Sequence, residues 1–224
     1  MVTSNQEHPD DALTDKVREV VARGVDVQET VYKLTLDALS QQTQGMASIG
    51  RIVSAVVRGA RDGVQEELRN ATLQAQAART HIREAVAGLD AALAQFVEAS
   101  KLAVEEAADR AQRFSREELA RVHADLQSLE SLLLDTINTS AAATRGVAAE
   151  IFHDLVEHAR RSGTAVGQQV NATLASFTRQ MAETGKQQME AGAQLARATA
   201  DTLRKIAAGM LSGLATRVQP EAAA

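Results

Sequence analysis

IGRIVSAVVRGARDGVQEELRNATLQAQAARTHIREAVAGLDAALAQFVEASKLAVEEAADRA, residues 49–111, decides how the rest of the chain is read. Its apolar and small residues recur at spacings of three and four only: Ile49, Val53, Val56, Ala60, Val64, Leu68, Ala71, Ala75, Ala78, Ile82, Val86, Leu89, Leu93, Val97, Ser100, Val104, Ala108 and Ala111. The phase closes every eleven residues, so that Val53, Val64, Ala75, Val86, Val97 and Ala108 form one row. Eleven residues over three turns is about 3.67 per turn, close to the 3.6 of an α-helix, and such a stripe runs nearly straight along the axis. A strict seven-residue repeat would instead supercoil left-handed. Because the stripe keeps its phase across Gly59, Gly63 and Gly88, the sequence predicts one continuous helix over 46–113, with a kink at Gly88 as the alternative. At 1.5 Å per residue that rod is about 100 Å long.

On the N-terminal side, Leu13, Val17, Val20, Gly24, Val27, Val31, Leu34 and Ala38 follow a heptad-like spacing. Gly24 interrupts it, and Asp26 with Glu29 three residues on reads as an N-cap with its capping-box partner. Two short helices, 12–23 and 27–41, are therefore predicted within 12–45, after a polar arm over 1–11 expected to be disordered. Gln41–Gly45 is the turn into the rod. On the C-terminal side, Phe114-Ser115-Arg116-Glu117-Glu118-Leu119 carries an N-cap, a capping box and a hydrophobic staple, opening a helix over 115–162. Its stripe is Val122, Leu126, Leu129, Leu133, Ile137, Ser140, Thr144, Ala148, Ile151, Leu155 and Ala159, weakest at Asn138–Thr144. It stops at Arg160-Arg161-Ser162-Gly163, with cations in the last turn and glycine just past it. Thr164 opens a last helix, 164–218, and Pro220 ends it, leaving 219–224 as a tail expected to be disordered.

Composition supports the same class. The 224 residues hold 43 alanines, no cysteine, no tryptophan and only two prolines, Pro9 and Pro220. Alanine is the best helix former and proline the worst, so the 210 residues between the two prolines favour helix throughout. An Ala-rich stripe removes little apolar area from water, at roughly 25 cal/mol per Å². Stability must then come from length and from contact with another helix or surface. The expected fold is all-α, an elongated bundle of long amphipathic helices with eleven-residue periodicity.

The same inventory narrows the function. Without cysteine there is no disulfide and no thiol or Cys-metal site. The start, MVTSNQEHPDD, is polar and acidic, unlike a secretory leader. The longest nearly uncharged apolar run, 206–215, is half the ~20 residues that a membrane span needs. No transmembrane segment is expected, and the expected address is cytoplasmic, or peripheral on granules or the inner membrane. Net charge is −5, but residues 164–218 carry +3. A dense basic face with stacking aromatics is absent, which argues against nucleic acid as partner.

Candidate chemistry is sparse. Glu150-Ile151-Phe152-His153 has the Glu-x-x-His spacing of di-iron bundles, but there is no second copy, and a solvated helical face is the simpler reading. Gly59-x-x-x-Gly63 and Gly209-x-x-x-Gly213 suggest close helix approach, whereas Gly163 of Gly163-x-x-x-Gly167 reads as a helix stop. No catalytic residue, metal or cofactor is expected, and the protein is read as a non-enzyme. The residues expected to meet a surface are Phe177, Arg197, Leu203, Arg204, Lys205, Ile206, Met210 and Leu214, which combine apolar bulk with positive charge.

The segments GRIVSAVVRGARDG (50–63), FSREELARVHADLQSLE (114–130) and HARRSGTAVGQQV (158–170) resemble an uncharacterised bacterial family of Ala-rich long-helix proteins. That resemblance carries no functional residues across. The composition is similar to that of phasins, which coat polyhydroxyalkanoate granules, and the period to that of exchangeable apolipoproteins. Those likenesses imply a helical structural protein that covers a hydrophobic granule or an anionic membrane. The alternative is a soluble self-associating coiled-coil scaffold with no lipid role, a homo-oligomer in which a second copy completes the thin stripe.

Overall fold

The computed structural model describes residues 9–41, 45–70, 75–109 and 116–187. It is all-α. The described residues form seven helices: α1 (Pro9–Arg23), α2 (Val27–Gln41), α3 (Met46–Asn70), α4 (Ala75–Asp109), α5 (Arg116–Ala142), α6 (Val147–Ser162) and α7 (Ala165–Gln187). They divide into two compact units. The first takes the described residues up to Ala92 together with Leu132–Gly163; the second takes Leu93–Ser131 and the described residues from Thr164 onward.

In the first unit, α1 begins on Pro9, whose missing N–H is not needed in a first turn, and Asp10 and Asp11 sit at the positive end of the helix. Residues 9–11 are thus helical, which shortens the arm expected over 1–11; residues 1–8 lie outside the described residues. Gly24 closes α1 at φ 66°, its N–H donating to the Val20 carbonyl at 3.1 Å. A side chain at 24 would also run into the imidazole of His81. Asp26 holds φ 48° ahead of α2, a conformation that Asp tolerates better than most residues. Glu29 takes the Lys33 ammonium at 2.7 Å, one turn ahead, so the ion pair found at Glu29 runs forward along α2.

The core contact of this unit is α1 against α3, and glycine sets its closeness. A Cβ at Gly59 would stand 2.5 Å from the Thr14 carbonyl oxygen and 2.8 Å from Val17 Cβ. At Gly63 it would stand 2.6 Å from the Arg18 carbonyl oxygen and 2.9 Å from Val21 Cβ. The Gly-x-x-x-Gly pair is therefore where two helices meet almost backbone to backbone. Contacts climb both helices together, from Arg51 with Asp10 to Arg18 with Glu66, so α1 and α3 run parallel. The seam between them is apolar: Leu13, Val17 and Val21 of α1 are buried, as are Ile52 and Val56 on the Gly59–Gly63 face of α3. The buried face of α1 is thus Leu13, Val17 and Val21, with Val20 half-exposed, and that of α2 is Val27, Val31, Thr35 and Leu39. The heptad reading placed Val20, Leu34 and Ala38 inside. A short straight helix lays its i, i+4 row on a neighbour and has no supercoil to keep a heptad in phase.

The single helix expected over 46–113 is not what forms. Glu67 Oε2 and His81 Nδ1 are 3.0 Å apart, whereas fourteen residues of continuous helix would separate them by about 21 Å. Instead α4 returns beside α3. Doubling back lets the thin stripe bury on the chain's own neighbours: Ala78, Ile82, Leu89 and Leu93 are buried as fully as Val53 and Val64. Gly88 marks no kink. It lets α4 close onto the Gln28 carbonyl oxygen and the Tyr32 N–H of α2.

The helix expected over 115–162 is likewise two, α5 and α6, parted at 143–146 directly after the weak Asn138–Thr144 stretch. Thr144 Oγ1 donates to the Ser140 carbonyl at 2.6 Å there, and Gly146 takes φ 69°. The N-cap expected at Ser115 lies outside the described residues. In α6 the buried face is Ala148, Ile151, Phe152 and Val156.

Candidate functional site: the docking seam of the last helix

The second unit is built differently. Gly163 ends α6 at φ 77°, its N–H donating to the Ala159 carbonyl at 2.8 Å, and α7 opens on Thr164. Thr164 Oγ1 accepts the Gly167 N–H at 2.9 Å, an N-cap bond to the third helical residue. The same hydroxyl donates to Glu130 Oε1 of α5 at 2.7 Å. A carboxylate from another helix thus sits on the positive end of α7, where the helix dipole favours it. Gly167 makes room for it, since a Cβ there would meet the Glu130 carboxylate and nothing else nearer.

Further along, α7 is fastened to α4 by two polar rungs. Gln169 Nε2 donates to Glu98 Oε2, and Ser176 Oγ donates to Glu105 Oε1 at 2.9 Å. Both pairs are 71 residues apart in sequence and each helix advances seven residues, two turns, between them. A constant offset means that α7 runs parallel to α4. Lys101 stands 3.7 Å from Glu98, on the flank of the first rung.

Among the described side chains of α7, Val166, Val170, Thr173 and Ser176 are buried and Leu174 is half-buried. Thr173 is fully buried, yet its hydroxyl finds no hydrogen-bond partner among the described residues. Other threonines bond back to the carbonyl four residues earlier, as Thr35, Thr136 and Thr178 do at 2.7–2.8 Å. A buried hydroxyl without a partner costs about 1–3 kcal/mol. The seam that holds α7 therefore carries a built-in flaw at Thr173.

The eight residues expected to meet a surface fare unevenly. Phe177 falls in α7, and nothing in the described structure bears on its side chain. Arg197, Leu203, Arg204, Lys205, Ile206, Met210 and Leu214 lie outside the described residues, as do Gly209 and Gly213. The residues that dock α7, Glu98, Glu105, Glu130, Thr164, Gly167, Gln169 and Ser176, were not singled out for this role. One signal for them exists in the sequence. Glu98 and Glu105 each follow a stripe residue, as Gln169 and Ser176 each precede one, so both pairs sit on stripe flanks at matching seven-residue spacing.

The remaining polar candidates join or decorate helices of the first unit. Glu67 is buried and faces the largely buried His81 under the Gly24 turn. Glu150 and His153 of the Glu-x-x-His spacing are both exposed, and Glu150 lies 4.0 Å from Arg79. Among the described residues no group of three His, Asp or Glu side chains is placed to hold a metal. An open groove of about 470 Å³ beside the α1–α2 turn has exposed Asp26, Gln28 and Glu29 and half-buried Tyr32, Glu84 and Ala91 in its lining.

Together these features define an all-α protein of amphipathic helices in which buried Glu67, Thr164 and Ser176 each join one helix to another. The model of a family of unknown function, DUF6781, matches residues 3–220, and the chain belongs to that family. No curated protein and no solved structure matches it. Among the described residues no helix is long and apolar enough to cross a membrane.

Proposed function

We propose that this chain is a non-catalytic structural protein that covers a hydrophobic surface, a polyhydroxyalkanoate-type granule or an anionic membrane, with residues 164–218 as the binding segment. The observation that carries this reading is where the stripes go. Val25 and Leu102 are the large apolar side chains left exposed among the described residues. Over the described residues the stripes that a homotypic coiled coil would need are already used within the chain, which weighs against the scaffold reading. Amphipathic helices that pack on their own chain can exchange that partner for an apolar surface, using the same face. The +3 charge of 164–218 adds attraction to anionic lipid of about 1 kcal/mol per nearby Lys or Arg. The non-catalytic part of the reading rests on the use made of the buried polar groups: Glu67 faces His81, Glu130 takes Thr164 and Glu105 takes Ser176, each a joint between helices.

Co-sedimentation tests it. The full chain is expected to pellet with anionic vesicles or granules and to lose binding as salt rises, while a chain ending at Gly163 stays in the supernatant and remains helical. Equal binding by the shortened chain sinks the assignment to 164–218. A stable oligomer whose helicity ignores lipid supports the self-associating scaffold in its place.

A further inference from the structure

The seam of α7 departs from the others in kind. Its neighbours α4 and α5 offer it carboxylates, Glu98, Glu105 and Glu130, and it answers with neutral donors, Gln169, Ser176 and Thr164. Those bonds fix the register of α7, and water takes them over in part when the helix leaves. Among the described side chains of α7, Val166, Val170 and half-buried Leu174 supply apolar contact, and the buried hydroxyl of Thr173 works against it. A helix that buries a hydroxyl without a partner gives up part of its docking energy, and so opens at lower free energy than a core whose polar groups are satisfied.

We propose that α7 is a releasable strap, held in register on α4 and α5 by the Thr164–Glu130 cap and the two glutamate rungs and kept easy to open by Thr173. It opens as a unit while α4 and α5 keep their own structure. Release uncovers Val166, Val170 and Leu174 on the same helix that begins the cationic segment. What that freed face then meets rests on the surface reading above; the opening itself does not.

Amide hydrogen exchange on the full-length chain reads the opening directly. Amides of 168–176 are expected to exchange at least about tenfold faster than those of 93–103. Thr173→Val keeps the shape and removes the orphan hydroxyl, so it should slow exchange in α7 about tenfold and leave α4 unchanged. Glu130→Ala strips the cap and should speed α7, with helicity by circular dichroism confirming that the variant folds. Exchange of α7 in step with α4 and α5, or no slowing in Thr173→Val, overturns the strap. The same proteins are then mixed with vesicles of phosphatidylglycerol and phosphatidylcholine. Weaker binding by Thr173→Val and stronger binding by Glu130→Ala tie the strap to the surface. If the exchange pattern holds but the intact chain ignores vesicles, the strap stands and the surface reading falls.

Discussion

Two seams in this molecule join helices of similar length and composition by opposite means. Between α1 and α3 the contact is apolar and close: Val17 and Val21 lie over Gly59 and Gly63, which let the backbones nearly touch. Between α7 and its neighbours the contact is a ladder of hydrogen bonds around two valines. Apolar contact of the first sort is lost outright when a helix lifts, because water cannot replace it. Hydrogen bonds of the second sort are traded with water as the helix leaves, which returns part of their worth. The difference teaches that an Ala-rich chain can place a permanent joint and a provisional one in the same fold by choosing what stands beside the stripe.

Glycine substitutions give the largest separation between the two. At Gly59 and Gly63 an added Cβ meets carbonyl oxygens and valine Cβ atoms that cannot move aside. Gly59→Ala with Gly63→Ala is expected to cost about 2–4 kcal/mol, overpacking outweighing the helix propensity gained. Gly167→Ala meets only the end of the flexible Glu130 side chain, and should cost about 1 kcal/mol or less. Gly50→Ala, whose Cβ would touch the Leu132 methyls at ordinary distance, should stabilise by about 0.5–1 kcal/mol. Urea denaturation with an unchanged m-value measures all three. Equal losses at 63 and 167 would erase the distinction between the seams.

A smaller effect sharpens it from inside the first unit. His81→Ala leaves the Glu67 carboxylate buried without its partner and empties the space over Gly24, for an expected loss of about 1–3 kcal/mol. A neutral result would mean that the first unit does not depend on its polar joint at all.

The smallest effect is a control at a site that belongs to neither seam. The Lys33 ammonium, by hydrogen bond first and by charge second, holds the Glu29 carboxyl below its ordinary range. A lowered carboxyl adds stability above its ordinary range and loses it as pH falls through the lowered value. Lys33→Ala should bring the Glu29 carboxyl resonance back toward its ordinary titration by NMR. The pair is fully exposed, so hydrogen exchange in both seams should stay as it was.

The sequence by itself determined what lies within reach of a single helix. Alanine content and three-and-four spacing settled helix over strand, Gly24 and Gly163 settled two helix ends, and Gly59 with Gly63 announced a close approach. It also placed the chain among uncharacterised Ala-rich helical proteins, which the family match to residues 3–220 bears out. Only the tertiary structure decided that residues 46–113 fold back, because a stripe in phase is a property of one helix surface and is met equally by a rod or by a hairpin. Only the tertiary structure set Glu98 against Gln169 and Glu105 against Ser176, partners 71 residues apart. Flank residues show their spacing in the sequence but not their neighbour. The neighbour is chosen by which faces bury the most apolar area when the helices come together.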